Sequence, residues 1–217
     1  MNLQLLLVSA LLTAFVTPHA LAEEIAPDVL VKGISEEVIA AIRQDKGIQA
    51  GDPRKIAELI EAKILPHFDF RHTTQIAMGV NWRRASPEQQ EQLTREFRAL
   101  LVRTYSSALA GYSDQVIEFR PLRAQPGDTE VTVRSQVRRS GAEPIAIEYD
   151  LERTGPADLE RTGPAWKVFD IRVAGISLAA TYRSAFAEEV RNRGIDGLIS
   201  LLSSKNRVAV KPVSVKT

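Results

Sequence analysis

The stretch from Trp166 to Ile199 reads WKVFDIRVAGISLAATYRSAFAEEVRNRGIDGLI, and it decides how the rest of the chain is interpreted. Its short apolar run, Trp166 to Val173, predicts a strand. After a turn, apolar residues at helical spacing predict a helix from about Leu178 to Arg193, with Gly194 as its C-cap. A short apolar helix, Leu198 to Leu202, completes the prediction. The chain therefore combines strands and helices.

The sequence before Gln115 reads as helices. Asp52-Pro53 is an N-cap followed by Pro at the first helical position, and Ser86 to Gln89 has the pattern of a capping box. The helix after Ser86 is the strongest in the chain because its apolar residues share one face over about six turns. These residues are Leu93, Phe97, Leu100, Leu101, Tyr105, Ala108, Leu109 and Tyr112.

The hydrophobic period changes from 3.6 to 2 at Gln115. Apolar and polar residues then alternate on both sides of Ser140-Gly141, which predicts two half-buried strands joined by a hairpin. With Val116 to Phe119 and the run beginning at Trp166, they predict an antiparallel sheet of about four strands. Helices grouped before and after such a sheet indicate the α+β fold class.

The amino-terminus has the pattern of a secretory signal peptide over residues 1–22. An apolar run from Leu5 to Val16 precedes the cleavage motif Ala20-Leu21-Ala22, although no Lys or Arg stands before the run. We therefore expect export to the periplasm and a single domain over residues 23–204. Residues 205–217 carry four basic residues and no acid, and we expect them to form a flexible basic tail.

Composition argues against several classes of function. The net charge of +1 at pH 7 gives no support for nucleic-acid binding, which needs a concentrated basic face. Cys is absent, which excludes disulfides, thiol catalysis and Cys-based metal sites. We expect no cofactor.

An octapeptide, Asp-Leu-Glu-Arg-Thr-Gly-Pro-Ala, occurs twice in tandem over residues 150–165. Because loop-closure entropy grows slowly with length, we expect the duplication to lengthen a surface hairpin without changing the fold. Either copy of Leu-Glu-Arg could pair with the following strand, so the sequence leaves the strand register open.

Catalytic motifs are missing from the sequence, and no metal site is predicted. His67 and His72 flank Asp69, but two imidazoles at this spacing meet poorly on a helix, so we expect Asp69 to be a helix cap with the histidines solvated. An enzyme would have to use tyrosines or Asp170, whose pKa burial in an apolar strand would raise. The tyrosines are Tyr105, Tyr112, Tyr149 and Tyr182.

Three segments in this order resemble the MlaC, or toluene-tolerance, family of periplasmic phospholipid-binding proteins. They are Leu65 to Arg83, with Asp69-Phe70-Arg71 and Met78-Gly79, then Ser86 to Tyr105, and the stretch Trp166 to Ile199. The resemblance implies a curved antiparallel sheet enclosed by helices (NTF2-like or cystatin-like) around an apolar pocket. It also implies that the protein is no enzyme and carries phospholipid as cargo. The implied partners are an inner-membrane ABC-transporter complex with a ring-shaped lipid-binding subunit and an outer-membrane lipoprotein complex.

The resemblance selects candidate pocket residues on the predicted sheet and helices. They are Phe97, Leu101, Tyr105, Val133, Ile147, Tyr149, Ile176, Leu178, Tyr182 and Phe186, with Arg183 as a candidate headgroup contact. Periodicity alone does not distinguish a hollow from a filled core. Two alternatives therefore stay open: a periplasmic enzyme of a cone-shaped α+β fold using Tyr and Asp acid-base chemistry, and an adaptor that binds proteins only.

Overall fold

The computed structural model describes residues 25–110, 115–125, 127–154 and 166–207. The expected signal peptide, residues 1–22, lies outside these ranges. The amino-terminal half is helical, as expected, with 3-10 turns at Leu65–His67 and Gly79–Arg84. Its α-helices are α1 (Pro27–Gln44), α2 (Lys46–Gln49), α3 (Pro53–Lys63), α4 (Phe70–Met78), α5 (Pro87–Tyr105) and α6 (Ser107–Ala110).

The helix starts follow the capping residues that the sequence predicts. The Asp52 carboxylate accepts hydrogen bonds from the N–H groups of Arg54 and Lys55 at the start of α3. Ser86 and Gln89 form the reciprocal bonds of a capping box at the start of α5. The long helix predicted after Ser86 is interrupted, because α5 ends at Tyr105 and α6 begins at Ser107.

The sheet is antiparallel and holds five strands in the order β1-β2-β3-β4-β5. The sequence predicts the first four but misses β5, a strand of two residues that pairs with the end of β4. The turn between them places Ala174 and Gly175 at φ values of 50° and 80°. The strands are β1 (Val116–Phe119), β2 (Glu130–Arg138), β3 (Ile145–Arg153), β4 (Trp166–Val173) and β5 (Ile176–Ser177). The α+β class is confirmed.

The carboxyl-terminal helix starts later and ends later than the sequence predicts. A 3-10 turn at Ala180–Tyr182 precedes α7 (Arg183–Arg207), which is broken at Gly194 by non-helical backbone with φ 73°. The predicted helix that ends at Gly194 and the predicted short helix after it are thus two halves of one kinked element. Helix α7 includes residues 205–207 of the expected tail, and the remainder of that tail lies outside the described ranges.

The duplicated octapeptide contributes its first copy to the sheet. Asp150 to Arg153 form the end of β3, where Arg153 is paired with Trp166 across the hairpin. A shift of register separates Asp150 from Leu151. The second copy, residues 158–165, lies outside the described residues. The first copy is therefore the one whose Leu-Glu-Arg pairs with β4.

Three clusters of buried side chains form the interior. The helical cluster joins α4, α5 and α7 and contains Ala77, Met78, Trp82, Ala85, Leu93, Phe97, Leu100, Phe186, Val190, Leu198 and Leu202. The amino-terminal cluster contains Val38, Ile42, Ile48, Ile56, Leu59, Ile60 and Leu65. The sheet cluster contains Val31 from α1 together with Val131, Val133, Leu151, Trp166 and Val168.

The helices are tied to the sheet at the start of α4. The N–H of Asp69 donates to the carbonyl oxygen of Val168 at 2.9 Å, and the Thr73 hydroxyl lies 2.7 Å from the carbonyl oxygen of Phe169. These bonds hold α4 beside β4. Within the described ranges, none of the helices combines the length and apolar content that crossing a bilayer requires.

Candidate functional site

An apolar cavity of about 230 Å³ lies between β4 and the helices α3, α4, α5 and α6. It borders all three clusters, because its walls include Ile60 from the amino-terminal cluster, Leu101 packed against the helical cluster and Ile171 packed against the sheet cluster. The lining residues are Ile60, Ile64, Leu65, Phe68, Phe70, Thr73, Leu101, Val102, Tyr105, Ser106, Leu109, Phe169, Asp170, Ile171, Leu178 and Ala179.

The polar side chains in this lining have partners within the protein. The Asp170 carboxylate accepts hydrogen bonds from the N–H groups of Ile171 at 2.9 Å and Ala179 at 3.3 Å, which ties β4 to the segment before α7. The Ser106 hydroxyl donates to the carbonyl oxygen of Arg103 at 3.4 Å. Because these polar groups already have hydrogen-bond partners within the protein, the cavity offers mainly hydrocarbon contacts to a ligand.

Tyr105 is the phenol in the cavity wall. Burial raises the pKa of its hydroxyl from 10.0 to about 12, and the neighbouring Tyr182 hydroxyl adds to the shift. A phenol with such a pKa stays protonated at neutral pH. It is a weak acid and therefore a poor proton donor for catalysis.

The structure places three predicted site residues, Leu101, Tyr105 and Leu178, in the lining of this cavity. Three others lie beside it in the helical cluster. The Phe97 ring meets the Tyr182 ring at 5.0 Å and the Phe186 ring at 5.1 Å between centroids, both edge to face. These aromatic rings fill the space between α5 and α7 instead of bordering the cavity.

The predicted sheet residues also lie outside the cavity lining. Val133 is buried in the sheet cluster, and Tyr149 packs against that cluster. Ile147 is half-buried on β3, whereas Ile176 is 61% exposed on the short strand β5. Among the described strands, β4 supplies the residues of the cavity lining, through Phe169, Asp170 and Ile171 in its middle, and β2 and β3 supply none.

Arg183, the predicted headgroup contact, lies at the start of α7. Its Nε donates to the carbonyl oxygen of Ile76 at 3.0 Å, and its side chain packs beside Gly79. This arginine links α7 to the end of α4 and does not border the cavity.

Sequence reasoning missed the contribution of the amino-terminal helices to the site. One side of the cavity is formed by Ile60 from α3 and Ile64 at its end, together with Phe68 before α4 and Phe70 at its start. The signal was present, since Ile56, Leu59, Ile60 and Ile64 recur at helical spacing. The spacing could not show which strand of the sheet this apolar face would meet.

The two histidines behave differently from the expectation that both are solvated. His72 Nδ1 lies 3.0 Å from Glu152 Oε1, and the His72 ring stacks on Phe169 at 4.1 Å. Burial raises the pKa of Glu152, whereas burial, aided by the charge of Lys167, lowers the pKa of His67. Asp69 caps α4 as predicted, accepting from the N–H of His72. Within the described part of the chain, no group of three or more His, Asp or Glu side chains is arranged to hold a metal ion.

Comparison with known proteins gives one consistent result. The family model described as "MlaC protein" matches residues 32–204. The chain is 24% identical over 190 residues to the intermembrane phospholipid transport system binding protein MlaC of Haemophilus influenzae, covering 87% of this chain and 86% of that protein. It is 28% identical over 171 residues to the toluene tolerance protein ttg2D of Pseudomonas putida, covering 78% and 75%.

A solved structure has the same fold. The phospholipid-binding protein from Ralstonia solanacearum, solved in complex with a phospholipid, is 40% identical to this chain and superposes with a TM-score of 0.72. The match covers 82% of this chain and 96% of the other.

Proposed function

The chain belongs to the MlaC family, and from that premise we propose that it is the periplasmic phospholipid-binding protein of an intermembrane phospholipid transport system. The observation that carries the proposal is the apolar cavity between β4 and the helices, in a fold shared with a relative that binds a phospholipid. The protein would hold acyl chains and would catalyse no reaction.

The energetics of lipid transfer favour such a carrier. Each exposed CH₂ group costs about 0.8 kcal/mol in water, and a two-tailed phospholipid carries on the order of 30 of them. A lipid free in the periplasm is therefore far too unfavourable to serve as an intermediate. Because an apolar cavity and a bilayer both remove this cost, exchange between them needs only a small free-energy change.

The partners follow from the family. We propose that the protein receives and delivers lipid at an outer-membrane lipoprotein complex and at an inner-membrane ABC-transporter complex with a ring-shaped lipid-binding subunit. The expected signal peptide, residues 1–22, would place it in the compartment between them. No cofactor is needed, because the transfer changes no covalent bond.

The first test is native mass spectrometry of the mature protein purified from the periplasm. We expect stoichiometric phospholipid to co-purify with the wild-type chain. Leu178→Glu puts a carboxylate into the apolar wall of the cavity and is expected to reduce bound lipid at least tenfold, because the charge must be desolvated when a chain enters.

Val80→Glu is the matched control for this experiment. Val80 is 86% exposed and lies outside the cavity lining, so the same chemical change there should leave lipid retention as it is. A wild-type protein that retains no phospholipid, even after incubation with vesicles, would contradict the proposed function. Equal loss in both variants would contradict the placement of the site.

A further inference from the structure

A groove of about 850 Å³ lies between α3 and the end of α5, and it shares lining residues with the apolar cavity. Its floor is formed by small and apolar residues that include Ile56, Ala57 and Ala99. Its rim carries three arginines, Arg95, Arg98 and Arg103, and one acid, Glu61. Among its lining residues, positive charge therefore exceeds negative charge.

The groove and the cavity share a wall. Val102 on α5 and Ser106, the C-cap residue one turn later, border both spaces. Other residues of α5 near this pair border only one of the two spaces. Leu101 and Tyr105 line the cavity, whereas Arg98 and Arg103 line the groove. A molecule that reached from one space into the other would pass this pair.

Arg98 lies at this boundary. Its guanidinium is stacked 5.7 Å from the ring centre of Phe70, which belongs to the cavity lining, and it forms an ion pair of 2.6 Å with Glu61 across the groove. Both members of the pair are largely exposed, at 41% and 59% of their side-chain surface. An ion pair this exposed contributes little stability, and an anion can replace Glu61 as the partner of Arg98.

We propose that this groove, which we call the arginine groove, is the subsite for the phosphate of the bound phospholipid. The inference rests on the proposed function and adds the position of the headgroup. The acyl chains occupy the apolar cavity, the glycerol passes Val102 and Ser106, and the phosphodiester lies between Arg98 and Arg103. At Arg103 the phosphate competes with the carbonyl oxygen of Lys205, to which Nη1 of this arginine donates. Guanidinium groups suit phosphate oxygens because they donate two parallel hydrogen bonds.

The sizes of the two spaces support this division. At about 230 Å³ the cavity is smaller than the roughly 300–1,000 Å³ of pockets that enclose drug-sized ligands, and a phospholipid is larger still. The arginine groove adds a larger space whose lining includes three guanidinium groups, whereas no basic side chain lines the cavity. The pair of spaces matches the amphiphilic character of the cargo.

The test compares two lipids that differ only in the headgroup. Lipid-free protein is incubated with vesicles containing equimolar phosphatidylglycerol and diacylglycerol of identical acyl chains, and protein-bound lipid is quantified by mass spectrometry. We expect the double variant Arg98→Gln/Arg103→Gln to lower the bound ratio of phosphatidylglycerol to diacylglycerol about tenfold. The wild-type preference should also weaken at high ionic strength, because salt screens exposed charges.

Two further variants separate a role in phosphate binding from a role in folding. Glu61→Gln removes the acid that competes for Arg98, and we expect it to raise the bound ratio about two- to threefold. Arg191→Gln removes the same charge from an exposed position on α7 outside both spaces, and should keep the wild-type ratio.

The outcomes distinguish this inference from the function on which it rests. A double variant with the wild-type ratio would overturn the phosphate subsite, as would an equal loss of both lipids. Weakened adsorption to the vesicles with an unchanged bound ratio would also overturn it, and would make the arginines a membrane contact. A wild-type protein that takes up neither lipid would refute the proposed function itself.

Discussion

Tyr105 places a phenolic hydroxyl in an apolar wall, and its surroundings make a pH-dependent contribution to stability. Its pKa is raised from 10.0 to about 12, so the folded protein holds the phenolic proton more tightly than the unfolded chain does. The contribution is fully present below about pH 10 and is lost as the pH rises through about 12.

We therefore expect Tyr105→Phe to flatten the alkaline limb of the stability profile. The unfolding temperature, measured by circular dichroism above pH 10, should fall less steeply for the variant than for the wild type. At neutral pH the variant should lose no more than about 1 kcal/mol, because the substitution removes the interaction of the Tyr105 hydroxyl with Tyr182. If the unfolding temperatures of the two proteins fall in parallel above pH 10, folding does not hold the Tyr105 proton more tightly than the unfolded chain does.

At the residue scale, sequence reasoning predicted part of the site. The family resemblance selected Leu101 and Tyr105 on the apolar face of the strongest helix and Leu178 after the last strand, and all three line the cavity. Phe97 lies on the same face, yet its ring is packed against Phe186. Periodicity shows which face is apolar, but it does not show whether a neighbouring element fills the space in front of it.

At the scale of single elements, the hairpin between β3 and β4 contains the duplicated octapeptide. Arg153 pairs with Trp166, so residues 154–165 form the connection. Deleting Asp158 to Ala165 would shorten it from twelve residues to four, a common length for a hairpin. Removing either copy gives the same sequence, so the deletion has a single product.

We expect the deletion to raise the free energy of unfolding by about 1 kcal/mol, because a loop one third as long costs less closure entropy. Urea denaturation measures the change, and lipid retention should not alter because β3 and the hairpin residues described do not border the cavity. A less stable deletion product would mean that the second copy makes contacts of its own.

Element boundaries could be predicted wherever local chemistry determines them. Asp52, Ser86 and Asp69 cap their helices as their side chains allow, and Gly194 breaks α7. The strand β5 could not be predicted, since two residues carry no periodicity and pair only because the turn at Gly175 folds them back on β4. The sequence also could not show which of the two octapeptide copies pairs with β4, because the copies are chemically identical.

At the scale of the whole molecule, the size of the cavity predicts a change of shape on loading. A space of about 230 Å³ is too small for both chains of a phospholipid, so the helices that cover it must move away from β4. Helix α3 is the natural candidate, because Ile60 and Ile64 contact the cavity while the opposite face of the helix is exposed.

Spin labels can measure this movement. The chain has no native Cys, so Glu58→Cys on α3 and Arg134→Cys on β2, both exposed, can be labelled selectively. We expect the distance between the labels, measured by pulsed electron paramagnetic resonance, to lengthen when phospholipid binds. A pair placed within the sheet, Arg134→Cys with Arg138→Cys, should keep its distance. If lipid binds in stoichiometric amount while the distance between the labels on α3 and β2 stays unchanged, the acyl chains are held elsewhere.

The fold class followed from the order of helices and strands, but the hollow did not. It arises where three separately packed clusters meet, and no residue pattern records how closely they approach. The family resemblance supplied the expectation of a pocket, and the structure supplied its position.

The division of the interior into three clusters has a consequence for the working cycle. Each cluster is packed by its own side chains, so none of them depends on cargo to stay intact. A carrier built in this way can release its lipid and still present an ordered surface to the next complex that it contacts. We therefore expect the lipid-free protein to stay folded between delivery and reloading.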